Sequence, residues 1–313
     1  MQLGDVSVMQ QTEYSPYYQV INPHPLLKPY IGCYWILRTT KVSKLRRELI
    51  LPDGYTELIL NYGSSYSWHD HERQVKRVID AVHVVGERDF SVMVDLGAGL
   101  NQLGVKIKPI GLFVLLHQPL DLLANQIVTP DELSVTTLQE LYEQIYEANS
   151  DQARITLLNQ FFLKRLLTAD LPDSLIGKAL QVILQQQGNL RIDALKDQLN
   201  VHYKTLERKF KTYVGLSPKT FARIVRFKNT YKRFHGIAYG GALTQPVPEQ
   251  PIARDDAAFF LDLGYYDQNH FIKDFKYFLY TTPSAYSQHQ QSLSDEIVRR
   301  GLVEKSVSKI YYP

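Results

Sequence analysis

Two stretches of the chain, RKFKTYVGLSPKTFA at residues 208–222 and KDFKYFLYTTPSAYS at residues 273–287, align without a gap at an offset of 65 residues. A basic residue, Phe, Lys, an apolar or aromatic pair, Ser/Thr, Pro and an aromatic residue recur in the same order, and Leu206 aligns with Phe271. Each copy follows a short apolar helix and a tight turn. Residues 192–199 lead through Asn200-Val201 into a helix over 202–213, and residues 257–263 lead through Gly264-Tyr265-Tyr266 into a helix over 267–278. Two helices joined by a three- or four-residue turn form a helix-turn-helix unit, whose second helix can enter a major groove. Any two short helices can imitate one such unit, but the duplication with a matching Ser/Thr-Pro is specific.

Within the second helices, Leu206 and Phe210, and Phe271, Phe275 and Phe278, recur at helical spacing and are expected to face the core. That leaves Lys204, Glu207 and Arg208 in one copy, and Gln268, Asn269, His270 and Lys273 in the other, at early outward positions. These residue types hydrogen-bond base edges, Arg with guanine and Gln or Asn with adenine. His270 would be structural on a buried face; at the polar start of its helix a DNA contact is the favoured reading. Asp267 can cap its helix. Ser217-Pro218 and Thr282-Pro283 each place a cap and a first-turn proline before a further helix, whose free N–H groups suit a phosphate.

Residues 207–222, and above all LGYYDQNHFIKDFKYFLYTTPSAY at 263–286, resemble the signature of AraC-type transcription regulators. The likeness spans about residues 175–288. It implies a seven-helix domain with two helix-turn-helix units joined by a long helix, here 219–234, both reading one face of a DNA duplex. Carried over residue by residue, it makes Lys204, Glu207, Arg208, Gln268, Asn269, His270 and Lys273 the base-contact candidates. Lys211, Ser217, Lys276 and Thr282 become the phosphate-contact candidates. PHPLLKPYIGCYW, ILPDGYTELILNYG and LGVKIKPIGLFVLL are similar to a little-characterised sensor domain found ahead of such DNA-binding domains. Two departures stand out. The connection at 235–256 is about 15 residues longer than usual and rich in Gly and Pro, which bears on whether the recognition helices sit one turn, about 34 Å, apart. His202 stands where a serine cap is usual.

Charge follows the same division. The 313 residues carry a net +3, but residues 202–235 hold ten basic side chains against Glu207 alone, +9, so the remainder carries −6. The concentration is a local footprint for phosphate, unless it is only a solvated helix face.

Upstream, to about residue 129, the chain is β-rich. Residues 30–38, 47–51, 57–62, 81–85, 90–96 and 103–108 are short β-branched and aromatic segments. The turns between them include Pro52-Asp53-Gly54, Gly63-Ser64-Ser65 and Gly97-Ala98-Gly99, and the spacing suggests a small barrel or sandwich. From Thr136 the period becomes helical: Leu138, Leu141 and Ile145, then Leu157, Leu158, Phe161, Phe162 and Leu166, with Asn149-Ser150-Asp151 as turn and cap. This hairpin, 136–169, can pack on its own barrel or make a homodimer.

The expected fold class is therefore α+β: a barrel-like N-terminal domain with a helical hairpin (1–170), an all-α reader with two helix-turn-helix units (171–290), and a tail (291–313). The expected function is a sequence-specific DNA-binding transcription regulator, controlled either by a small molecule in the N-terminal domain or by dimerisation alone through residues 136–169. The alternative is an enzymatic or ligand-binding barrel that the C-terminal domain only localises on DNA. Rival chemistries are weaker. His69-Asp70-His71-Glu72 lacks a downstream His or Cys at ligand spacing and reads first as a solvated loop. Cys33, the single cysteine, excludes an intrachain disulfide and reads as a small hydrophobe. Gly97-Ala98-Gly99 lacks what a phosphate-cradling loop needs. Pro52-Asp53-Gly54 with Glu57 could line a barrel mouth, though it is first a turn. No catalytic residue, metal or cofactor is expected. No apolar run approaches a membrane span, and the first residues lack an export signal, so a cytoplasmic protein is expected.

Overall fold

The structure, a computed structural model, describes residues 17–40, 46–70, 73–234 and 257–286. Nine strands come first: β1 (Tyr17–Ile21), β2 (Ile31–Arg38), β3 (Arg46–Ile50), β4 (Thr56–Asn61), β5 (Tyr66–Asp70), β6 (Val75–Ile79), β7 (Val82–Val85), β8 (Val92–Leu96) and β9 (Asn101–Ile107). A short helix, α1 (Gly111–Leu116), and a two-residue strand, β10 (Ile127–Val128), follow. The strands pair antiparallel in two sheets, ordered β1-β2-β9-β4-β7-β10 and β3-β8-β5-β6. The barrel-like expectation is thereby corrected to an open sandwich. Among the described residues no strand of one sheet pairs with a strand of the other, so the edges are never joined into a closed ladder.

The larger sheet is buried on both faces, which is why YIGCYWILR reads as one continuous apolar run. Tyr34, Ile36, Leu58, Leu60, Leu103 and Val105 point to one side, and Trp35, Leu37, Ile59 and Val85 to the other. The second set meets Tyr66, Trp68, Val92 and Val94 of the smaller sheet. Gly104 lies opposite Trp35 in the β2–β9 register. A Cβ there would stand 1.9 Å from the indole, so the ring fills the place of a side chain. Gly104→Ala should therefore cost about 1–3 kcal/mol through overpacking, read as a lowered denaturation midpoint. A midpoint equal to wild type would show that Trp35 moves aside freely.

The first set is covered by the helical hairpin, α2 (Thr136–Glu147) and α3 (Asp151–Leu166). Leu138, Leu141 and Ile145 pack with Ile155, Leu158 and Phe162 against the sheet. Ser150 caps α3 by accepting from the Ala153 amide at 3.2 Å. The buried side of this stripe lies on the protein's own sheet.

Seven helices complete the described chain: α4 (Ser174–Gln185), α5 (Ile192–Gln198), α6 (Tyr203–Val214), α7 (Pro218–Phe234), α8 (Ala257–Asp262), α9 (Gln268–Leu279) and α10 (Pro283–Tyr286). Helix α7 is the spine. Phe221, Ala222 and Val225 enter one core with Leu206 and Phe210 of α6. Ile224, Phe227 and Tyr231 enter another with Phe271, Phe275 and Phe278 of α9. The two halves also share these cores, since Ile110 joins the first and Leu49, Leu51 and Ala124 pack against the second. The long connection at 235–256, the tail at 291–313, His71 and Glu72 lie outside the described residues.

Candidate nucleic-acid interface

In the first unit, α5 passes through Asn200, in the left-handed region at φ 50°, into α6. His202 occupies the N-cap without a side-chain cap bond, so α6 begins less firmly than its counterpart. Leu206, Phe210 and Val214 are buried and Lys204, Arg208 and Lys211 exposed. Glu207 is half-buried and lies 3.6 Å from Lys211 one turn later. An exposed pair of this kind contributes about 0.3–0.5 kcal/mol.

In the second unit the turn passes through Gly264 at φ 81°, where a Cβ would stand 2.6 Å from the Asn189 side chain. Asp267 caps α9 by accepting from the His270 amide at 2.7 Å. Asn269, Lys273 and Lys276 are exposed, and Gln268 and His270 half-buried. Ser217 and Thr282 each accept from an amide three residues on, Thr220 and Ala285, at 3.1 Å. Each hydroxyl thus already serves as a cap at the start of α7 or α10.

The +9 run does not face one way. Arg223 Nε and Arg226 Nη2 donate to the two oxygens of Asp274 at 2.8 and 2.9 Å. Lys209 donates to Asp173 at 2.5 Å. Lys228 donates to the Asp53 carbonyl at 3.1 Å and lies 4.7 Å from the Tyr55 ring centre. Lys232 is buried beside it; desolvation, then the charge of Lys228, pushes its ammonium down to about 6. Lys204, Arg208, Lys211 and Lys219 of the run remain exposed. The phosphate footprint read from the sequence is therefore smaller than its net charge.

Those inward lysines meet an acidic cluster of the N-terminal half. Lys106 pairs with Asp53. Burial acts to raise Asp53, but Lys106, Lys228 and Arg88 outweigh it and hold the carboxyl below its ordinary value. Burial raises Glu57 and Glu87. Asp53 and Glu57 thus sit where the sandwich meets α7. The same half also touches α6 and α9 at their C-terminal ends. The Leu120 amide donates to the Thr212 carbonyl of α6 at 2.8 Å, and Phe113 packs edge-on to Tyr213. Ser91 Oγ donates to the Phe278 carbonyl of α9 at 2.5 Å, and Tyr280 returns a bond to the Ser91 carbonyl at 2.8 Å. The sequence singles out Asp53 and Glu57 only as a turn or a barrel mouth, and it carries a local signal for one inward partner of the run. Asp274 stands on the stripe Phe271-Asp274-Phe275-Phe278, and an acid at an apolar position signals a buried partner.

The rival sites resolve differently. His69 and Asp70 end strand β5 instead of lying in a loop, with His69 Nε2 2.7 Å from Asp95 and Asp70 bonded to Arg73. Among the described residues no three His, Cys, Asp or Glu are grouped to hold a metal ion. Burial pushes the Cys33 thiol up to about 12, which keeps it protonated. No helix of the described residues is long and apolar enough to cross a membrane.

A domain of unknown function (DUF6597) matches residues 19–129. No curated protein matches the chain. Among solved structures, ToxT from Vibrio cholerae is similar at 11% identity and TM-score 0.43, covering 81% of this chain and 96% of that one. ToxT with a bound unsaturated fatty acid gives 12%, 0.39, 89% and 96% for the same quantities. The AraC-like transcriptional activator CuxR gives 13%, 0.32, 72% and 86%. The described residues of this chain hold two helix-turn-helix arrangements joined by one long helix and set behind a β-rich half.

Proposed function

We propose that this protein is a sequence-specific DNA-binding transcription regulator of the cytoplasm. The observation that carries the reading is the pair of helix-turn-helix units built on α7, each with polar residues on the outer face of its second helix. Lys204, Glu207, Arg208, Gln268, Asn269, His270 and Lys273 would read base edges. Lys211, Lys276 and the helix starts at Ser217 and Thr282 would hold phosphates. Enrichment of one sequence from a random DNA pool tests the reading, and a pool without enrichment overturns it. On the enriched sequence, Lys204→Ala should cost about 1–3 kcal/mol and relax the preference at one base pair. Lys211→Ala should instead weaken cognate and unrelated DNA alike and lower the salt slope by about 1. Equal losses from both variants on every sequence would sink the division of roles.

Control would come from the N-terminal half, because its loops end on α6, α7 and α9 together. A small molecule bound in the sandwich would act through those contacts. A small-molecule screen against thermal unfolding of the full chain tests this, since a ligand that binds only the folded form raises the midpoint.

A further inference from the structure

On the reading that α9 enters DNA, we propose that Asp274 is the positioning residue of the second recognition helix, which it fixes by gripping Arg223 and Arg226 of α7. Its carboxylate is 4% exposed, and each oxygen accepts from a different guanidinium. The same Nη2 of Arg226 reaches His270 Nε2 at 3.2 Å, one turn earlier on α9. A guanidinium only donates, and so does the Tyr266 amide 3.4 Å from Nδ1, so the ring is a neutral imidazole that accepts from one of the two. Burial, then the charge of Arg226, holds His270 below its ordinary value, which agrees with that state. The Arg223 guanidinium lies 4.1 Å from the Tyr277 ring centre, and that of Arg226 lies 4.7 Å from that of Tyr265. The two arginines therefore hold α9 from the turn before it almost to its end.

The apolar core beneath supplies a different kind of constraint. Contacts among Phe227, Phe271, Phe275 and Phe278 are less directional than ion pairs, and fix the angle of α9 about its axis less sharply. Charge-assisted bonds from planar guanidinium groups are directional and fix it more sharply. A turned α9 would carry Gln268, Asn269 and Lys273 away from the bases.

The first unit provides an internal comparison. Sixty-five residues before Asp274 stands Lys209, which ties α6 to Asp173 at the start of α4. The corresponding position of each second helix is thus anchored to the helix that precedes its unit, α4 or α7, with the charges exchanged. The first anchor is more exposed than the second, so it is the weaker constraint.

The test uses the full chain and the DNA enriched by wild type. Asp274→Asn keeps the shape and removes the charge. It should lower affinity about ten-fold, the worth of one misread base pair, and flatten preference only at positions read by α9. Preference at positions read by α6, and affinity for unrelated DNA, should stay as in wild type. Arg226→Lys keeps the charge but cannot span Asp274 and His270 together, and should flatten the same positions. A uniform loss on all sequences, or an unchanged preference at the α9 positions, overturns the proposal. Should Asp274→Asn fail to fold, the α9 preference of Arg226→Lys decides by the same criterion. A wild-type chain that enriches no DNA would instead remove the reading on which the proposal rests.

Discussion

Phe227→Ala should remove about 3–5 kcal/mol of stability, the usual cost of emptying a buried phenylalanine site. The ring is buried on α7, stacked 4.4 Å from Phe278 and edge-on to Phe275 at 6.1 Å. Leu49 and Leu51 of the N-terminal half pack against the same cluster. The hole would open where α7, α9 and the sandwich meet. No single neighbour can fill it, because each ring is held by two others. A domain holds about 5–15 kcal/mol in all, so the second unit should melt well before the rest. Urea denaturation followed by circular dichroism reads the change. Tyr266→Ala is the control: that ring is 85% exposed, and its removal should stay within about 0.5 kcal/mol. Similar midpoints for the two variants would mean that the aromatic cluster is not a packed core.

Acidification should cost roughly 3 kcal/mol between pH 6.5 and 4 through His83 alone. The imidazole is buried between the sheets, and burial pushes it down to about 4. A carbonyl only accepts, so Nδ1 carries the proton, donated to the Ala81 carbonyl at 3.0 Å. Nε2 then accepts from the Tyr66 hydroxyl at 2.7 Å. The unfolded chain titrates near 6.5, above the folded protein, so it binds the proton first. The stabilisation is full above pH 6.5 and is lost as the pH falls towards 4. His83→Gln does not titrate there. Its unfolding free energy should change less with pH over that window, even if it begins lower at pH 7. Parallel pH curves for the two proteins would exclude His83 as the cause.

Much of the helical half was legible because its signals are local. Stripes such as Leu206-Phe210 and Phe271-Phe275-Phe278, the caps Ser150 and Asp267, and the two Ser/Thr-Pro starts act within a few residues. They placed α5 to α9 within a residue or two of their ends. The sheets were harder. Strands β1, β5, β6 and β10 are not among the segments read from the sequence; YSWHD ends in polar residues that suggest a loop, and VKRVI has an exposed run on an edge strand. The strand character of β5 and β6 comes from pairing with each other and with β8, which is not local.

By itself the sequence determined that this protein carries two copies of a helix-turn-helix unit behind a β-rich half, since period, caps and duplication are written along the chain. Only the tertiary structure decided what each charge is for. Arg223, Arg226, Lys228 and Lys232 belong to the same basic run as Lys204 and Arg208, yet four of these six turn inward, to Asp274 and to the Asp53 cluster. A side chain's charge is a local property, but its partner is chosen by which helices and strands pack together. That is fixed only when the cores on either side of α7 close.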